Sequence, residues 1–311
     1  MIHQRVRNLP SFARFDLGMI CRRTSELSAL RAVLLNTSGT VPLHDRFRAL
    51  FTLKSFAVPS ALLKHELAYC LGQMKLVSAL PVLQSVLENI DEDPMVRHEA
   101  EEAMGAISSP DFKAVLTKYL TDPNRNNSEE GRQHLASKES SDQTPTYTSI
   151  DPAPPSSKLL SGQNQMTSTL LDTSVPLFQR YRAMFALRNT GTPAAVDALA
   201  AGFSGDSALC KHEIAFVFGQ LLSAHSVPSL LNVLQDGSES DMVRHEAAEA
   251  LGGIATPEVL PHLKEWMTRE DSPRVVRESC QVAIDMWEYE NSGQFQYANG
   301  LESVRVEATP A

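Results

Sequence analysis

The chain of 311 residues repeats itself at a fixed offset, and this limits its fold more than any other feature. KHELAYCLGQ at 64–73 returns as KHEIAFVFGQ at 211–220, and PMVRHEAEEAMGAI at 94–107 returns as DMVRHEAAEALGGI at 241–254. Both pairs are 147 residues apart, and within each half the two His-Glu dipeptides lie 33 residues apart. A duplicated half that itself contains a shorter repeat points to stacked units, each too small to bury its own apolar face.

Each unit reads as two helices. From Asp241, the residues Val243, Ala247, Ala250, Leu251 and Ile254 recur at three- and four-residue spacing, the apolar stripe of an amphipathic helix. Gly252 and Gly253 offer room for a close neighbour, and Pro257 opens a second helix through Val259, Leu260 and Leu263. Aromatics make up only 6% of the chain, which favours helix on helix over a β-rich core. The fold expected is all-α, an α-solenoid in two duplicated halves. The pattern V-R-x-x-A-A-x-A-L-G-x-I resembles the short HEAT-like repeat also seen in bilin lyases. RFRALFTL at 46–53, RYRAMFAL at 180–187 and RESCQVAI at 277–284 carry it without His-Glu.

The expected divisions are an N-terminal segment (1–25), a first half (26–121), a linker (122–165), a second half (166–290) and a tail (291–311). The linker is dense in Ser, Pro, Asn and charge, with too few apolar residues to offset its ordering entropy, so it is expected to be flexible. Internal comparison makes the first half shorter. It is expected to lack a helix around 55–60 and a closing unit near 122–140.

A net charge of −9 argues against a nucleic-acid partner, because phosphate binding needs clustered Lys and Arg. Four cysteines, Cys21, Cys70, Cys210 and Cys280, show no CxxC spacing and imply a reducing compartment. No apolar run is long enough to span a membrane. The early arginines Arg5, Arg7, Arg14, Arg22 and Arg23 come without a cleavage signal. A cytoplasmic location is therefore expected, with the nucleus as a second compartment.

Four of the nine histidines, His65, His98, His212 and His245, are followed by Glu, at one phase of four repeats. With 37 acidic residues in 311, chance would place an acid after about one histidine in nine. Neighbouring residues on a helix diverge by about 100°, so His and Glu flank one edge of each helix. Stacked repeats bring such edges within about 8–10 Å between axes. His65 can then join His98 and Glu99 on one metal, and His212 can join His245 and Glu246 on a second. Two imidazoles and a carboxylate suit non-haem iron(II), and zinc as well. Glu66 and Glu213 remain, as groups orienting the ligand histidines, as metal ligands, or as binders of a cationic substrate, the role favoured here. Lys64, Lys211, Arg97 and Arg244 are expected to be structural cations, Glu102 and Glu249 to face solvent, and Met95 and Met242 to pack between repeats.

KHELAYCLGQ, PMVRHEAEEAMGAI, RYRAMFALRNTG, KHEIAFVFGQ, DMVRHEAAEALGGIA and RVVRESCQVAIDMWEYE, with SIDPAPP at 149–155 and FQYANGLE in the tail, resemble the deoxyhypusine hydroxylase family. The resemblance implies a monooxygenase that hydroxylates a lysine already extended by an aminobutyl group, deoxyhypusine, on eukaryotic translation initiation factor 5A. It implies two Fe(2+) ions per chain, with molecular oxygen as co-substrate. His65, His98 and Glu99 would hold one iron, and His212, His245 and Glu246 the other. Glu66 and Glu213 fall at positions linked to substrate binding. A HEAT scaffold without catalysis, or a di-zinc or di-manganese hydrolase, would use the same fold.

Overall fold

A computed structural model describes residues 60–75, 77–108, 115, 147, 149–155 and 162–292. The secondary structure among these residues is helical, with no strand. The first half contributes α1 (Ala61–Gln73), α2 (Leu80–Glu88) and α3 (Pro94–Ile107). The second half contributes α4 (Gln163–Leu171), α5 (Leu177–Thr190), α6 (Pro193–Ala201) and α7 (Ala208–Leu221). It continues through α8 (Val227–Gln235), α9 (Asp241–Ile254), α10 (Val259–Thr268) and α11 (Arg274–Ser292). The expected helical gap at 55–59, the terminal segments 1–25 and 293–311, and the expected missing unit near 122–140 lie outside the described residues.

The duplication is visible in the helix signals. Ser60 Oγ caps α1 by accepting from Leu63 N, and Ser207 Oγ caps α7 by accepting from Cys210 N, at the same 147-residue offset. Asp93 caps α3 ahead of Pro94, and Thr192 caps α6 ahead of Pro193. Both halves stop their inner helices with left-handed residues at matched positions, Lys75 and Leu222, then Ser108 and Ala255.

Packing separates two layers. α1 lies on α3, and α7 on α9 on α11, as an inner layer, while α2, α8 and α10 cover them from outside. The inner helices cross closely because small residues face each other. A Cβ on Gly72 would lie 2.7 Å from Ala103 Cα, and one on Gly252 would lie 2.6 Å from both Ala283 Cα and its carbonyl oxygen. Gly253, which the sequence suggested for the same purpose, is under no such constraint, since a Cβ there meets nothing closer than Met286 Cε at 3.5 Å.

Buried arginines tie the layers together. Arg97 Nε donates to Leu87 O, Arg180 Nε to Leu170 O and Arg244 Nε to Leu234 O. Each donor reaches a carbonyl in the last turn of the preceding outer helix, where the helix dipole favours a cation. Lys64 pairs with Glu92 and Lys211 with Glu239, again at the repeat offset. These cations serve the scaffold. Met95 and Met242 are buried, and Met95 joins the core of the second half, so it packs across the two halves.

Part of the expected flexible linker is instead a packed strap. Tyr147 and residues 149–155 run across α1, α5 and α7. Ile150 N donates to Gln73 Oε1, and Gln220 Nε2 donates to Ser149 Oγ, so two glutamines 147 residues apart grip adjacent strap residues. Arg188, 2% exposed, donates both Nη atoms to the Asp151 carboxylate at 2.7 Å and lies over the Tyr147 ring. Arg182 Nε donates to Pro154 O, and Ala153 is fully buried. The strap is held by polar anchors, which apolar content does not reveal.

Candidate metal centre

His65, His98, His212 and His245 each occupy the fifth residue of an inner helix, and the two halves face each other there. The four rings form one cluster. The His65 ring centre lies 5.5 Å from His98, 5.7 Å from His212 and 5.0 Å from His245. His98 is 5.2 Å from His212, and His212 is 5.3 Å from His245. All four are buried, at 0–4% exposure.

The carboxylates surround the rings unequally. Glu99 Oε2 lies 3.1 Å from His65 Nε2, and Glu66 Oε1 lies 2.9 Å from His65 Nδ1. On the other side Glu246 Oε2 is 3.5 Å from His212 Nε2 and Glu249 Oε1 is 3.8 Å from His245 Nδ1. Among the described residues, two groups have their donor atoms within 4.8 Å of one another: His65 with His98 and Glu99, and His65 with His212 and His245. The second group takes His65 from across the interface where the sequence suggested Glu246. Glu213 is buried on α7, while Glu66 stays 39% exposed at the cavity.

Electrostatics separates the rings. Burial, with the neighbouring imidazoles, holds His98 and His212 well below the ordinary value, and burial and His65 push His245 down to about 3. They are neutral imidazoles, the form that binds metals. Burial also acts to lower His65, but Glu99 and Glu66 outweigh it and raise its pKa well above the usual value. A site that stabilises a positive charge between two carboxylates also suits a metal cation.

The donor set fits a metal by a second criterion. Neither ring nitrogen of His98, His212 or His245 has a hydrogen-bond partner among the described residues. Burying a polar group without a partner costs about 1–3 kcal/mol. Coordination of a metal through one nitrogen of each ring would give each of these imidazoles a partner, and the groups His65, His98, Glu99 and His65, His212, His245 are close enough to offer it.

Above the rings lies a cavity of about 80 Å³ lined by the four Glu of the pairs together with Glu102, Glu249, Tyr69 and Phe216. Glu102 and Glu249 thus do not face solvent as expected. Each sits three residues beyond Glu99 or Glu246, on the same helix edge, a spacing the sequence already carried. Burial raises the carboxyl pKa of Glu249, and burial together with Glu249 raises that of Glu246. Tyr69 and Phe216, also 147 residues apart, meet edge to face with ring centres 6.0 Å apart. Of the histidines outside the phase, His225 pairs with Asp197 and His262 with Gln235 on the surface, while His44 and His134 lie outside the described residues.

The duplicated inner helices thus close on a buried histidine–carboxylate cluster able to hold metal ions, inside an α-helical repeat protein. A HEAT repeats model matches residues 52–135 and 196–285, and a PBS lyase HEAT-like repeat model matches 179–205. The first match runs past 122, where the linker was expected to begin. The chain is 61% identical to deoxyhypusine hydroxylase of Lentinula edodes, covering 90% of this chain and 96% of the relative. It is 48% identical to that of Rattus norvegicus, covering 90% and 97%. The structure of human deoxyhypusine hydroxylase in complex with glycerol superposes with a TM-score of 0.71 at 43% identity, covering 88% of this chain and 99% of that one. The chain belongs to the deoxyhypusine hydroxylase family.

Proposed function

We propose that this enzyme hydroxylates the deoxyhypusine residue of eukaryotic translation initiation factor 5A, using two iron(II) ions and molecular oxygen. The reading is supported by identity to deoxyhypusine hydroxylases along nearly the whole chain. The observation that carries the metal reading is the set of four buried imidazoles, three of them neutral with neither nitrogen hydrogen-bonded. His65, His98 and Glu99 would hold one iron, and His212, His245 and Glu246 the other. Bound ferrous ions would supply open coordination positions and electrons for oxygen activation.

The remaining residues prepare the site for an amine-bearing substrate. Glu66 and Glu213 line the cavity with the other carboxylates and would hold its ammonium groups. The small cavity limits water around the reacting carbon. In the overall reaction a C–H bond becomes C–OH with one oxygen atom. The other atom leaves as water, taking two electrons and two protons from an external reductant. The acidic chain, at −9 net charge, suits a basic loop on the partner. Among the described residues no helix is long and apolar enough to cross a membrane.

Metal analysis with a visible spectrum under air tests the reading. About two irons per chain and an oxygen-dependent visible band are expected, because each half supplies a two-histidine, one-carboxylate set. His98→Ala and His245→Ala should each lose iron and keep their helical circular dichroism. Undiminished iron in both variants would remove these residues from the ligand set. An iron-loaded chain that leaves deoxyhypusine unchanged would favour the scaffold reading.

A further inference from the structure

The cavity above the histidines opens on two sides of the strap, and the two openings differ in chemistry. The first, about 180 Å³, is lined by Glu99, Glu102 and strap residues Ile150, Asp151, Pro152 and Pro154, and Lys75 stands in its wall. The second, about 310 Å³, is lined by Glu246, Glu249, Phe216, Met286 and strap residues Tyr147 and Ser149. The first opening shares Tyr69, Glu99 and Glu102 with the central cavity, and the second shares Tyr69, Phe216, Glu246 and Glu249, so each adjoins the candidate metal site.

From this asymmetry we propose that the substrate's extended side chain reaches the metal site through the second opening, with Tyr147, Phe216 and Met286 as its sleeve. The proposal rests on the functional reading above. That side chain is two short methylene runs, each ending in an amine. Its methylenes need apolar walls and its amines need carboxylates or aromatic faces. The second opening offers both in sequence, from Tyr147 and Met286 outside to Glu249 and Glu246 within, and among the described residues its lining holds no basic side chain. The first opening has Lys75 among its lining residues, a like charge for an incoming cation.

Within the proposal, the strap becomes a wall of the route. Tyr147 is held by the Arg188 guanidinium, 4.3 Å from its ring centre, and Arg188 is held by Asp151. Arg188 and Asp151 are then positioning residues acting through Tyr147.

One variant on each side separates the two routes. Gly253 lines the second opening and Ala106, 147 residues earlier, lines the first. Met286→Lys adds a cation to the second opening and Ala106→Lys adds one to the first. The iron-loaded full chain would be titrated with a fluorescent peptide carrying deoxyhypusine, by anisotropy, at matched iron content. Met286→Lys should weaken binding by about tenfold or more and Ala106→Lys by less than about twofold. Gly253→Leu is an uncharged second block; its Cβ makes only ordinary contacts, with Met286 Cε at 3.5 Å and Leu222 Cδ2 at 3.6 Å, and helical circular dichroism checks that the larger side chain leaves the fold intact. It should weaken binding in the same direction. Equal weakening by both lysines, or greater weakening by Ala106→Lys, would overturn the route while leaving the function standing. Absence of peptide binding by the unaltered iron-loaded chain would overturn the functional reading, and the route with it.

Discussion

At the scale of single residues, the four histidines differ in what they do to stability. His98, His212 and His245 have folded pKa values below the usual 6.5. Their neutral forms therefore contribute stability above pH 6.5 that is lost as pH falls, with His245 resisting protonation down to about 3. His65 has the opposite sign: its pKa is raised, so its contribution is full below 6.5 and fades as pH rises through the folded value. Glu246 and Glu249, with raised pKa values, also gain from acid. The raised carboxylates offset the imidazoles until their unfolded forms take up protons near 4.5, so the three lowered imidazoles dominate below about pH 5. The chelator-stripped chain should lose stability between about pH 5 and 4, by up to about 1.4 kcal/mol per pH unit for each net proton. A thermal midpoint that stays level or rises on acidification across that window would contradict this balance.

At the scale of helices, the inner layer depends on a few close crossings. Gly252 faces the backbone of Ala283 at 2.6 Å, and this contact cannot relax by rotating a side chain. Gly252→Ala should destabilise the chain by about 1–3 kcal/mol in urea unfolding. Gly219, where a Cβ would sit 3.5 Å from Ala250 Cα, is the contrast. Gly219→Ala should be close to neutral, offset by a helix-propensity gain of up to about 1 kcal/mol. Equal losses at the two positions would mean that the spacing of α9 and α11 is not set by this contact. The helices themselves were readable from sequence, because the apolar stripe recurs at the same offset, as do the caps Ser60 and Ser207 and the prolines Pro81 and Pro228. The pairing of Gly252 with Ala283 was not, since crossing points depend on where two helices meet in space.

At the scale of the whole molecule, the strap joins the halves and edges both openings. Asp151→Asn keeps its shape but leaves Arg188, 2% exposed, without its carboxylate partner. A loss on the order of 3 kcal/mol in thermal unfolding is expected, with faster chymotryptic cleavage after Tyr147. Unchanged cleavage and stability would show that the strap is held by Gln73, Gln220 and Arg182 alone. This segment was read as linker because it has few apolar residues. Its anchors are an ion pair, a cation over a ring and backbone hydrogen bonds, none of which leaves an apolar pattern.

The sequence by itself determined the helical repeat, the duplication and the chemistry of the four His-Glu pairs, because these are local or periodic properties. A helix edge has a fixed spacing, and a repeat carries it unchanged into the next unit. Only the tertiary structure decided that His65 sits within reach of three other imidazoles, that Glu102 and Glu249 turn inward, and that Ser149 to Pro154 lie across α1, α5 and α7. Each of these depends on how two halves, 147 residues apart in the chain, are rotated onto one another. That rotation is fixed by packing and by buried polar partners drawn from distant segments, and a one-dimensional pattern holds no record of it.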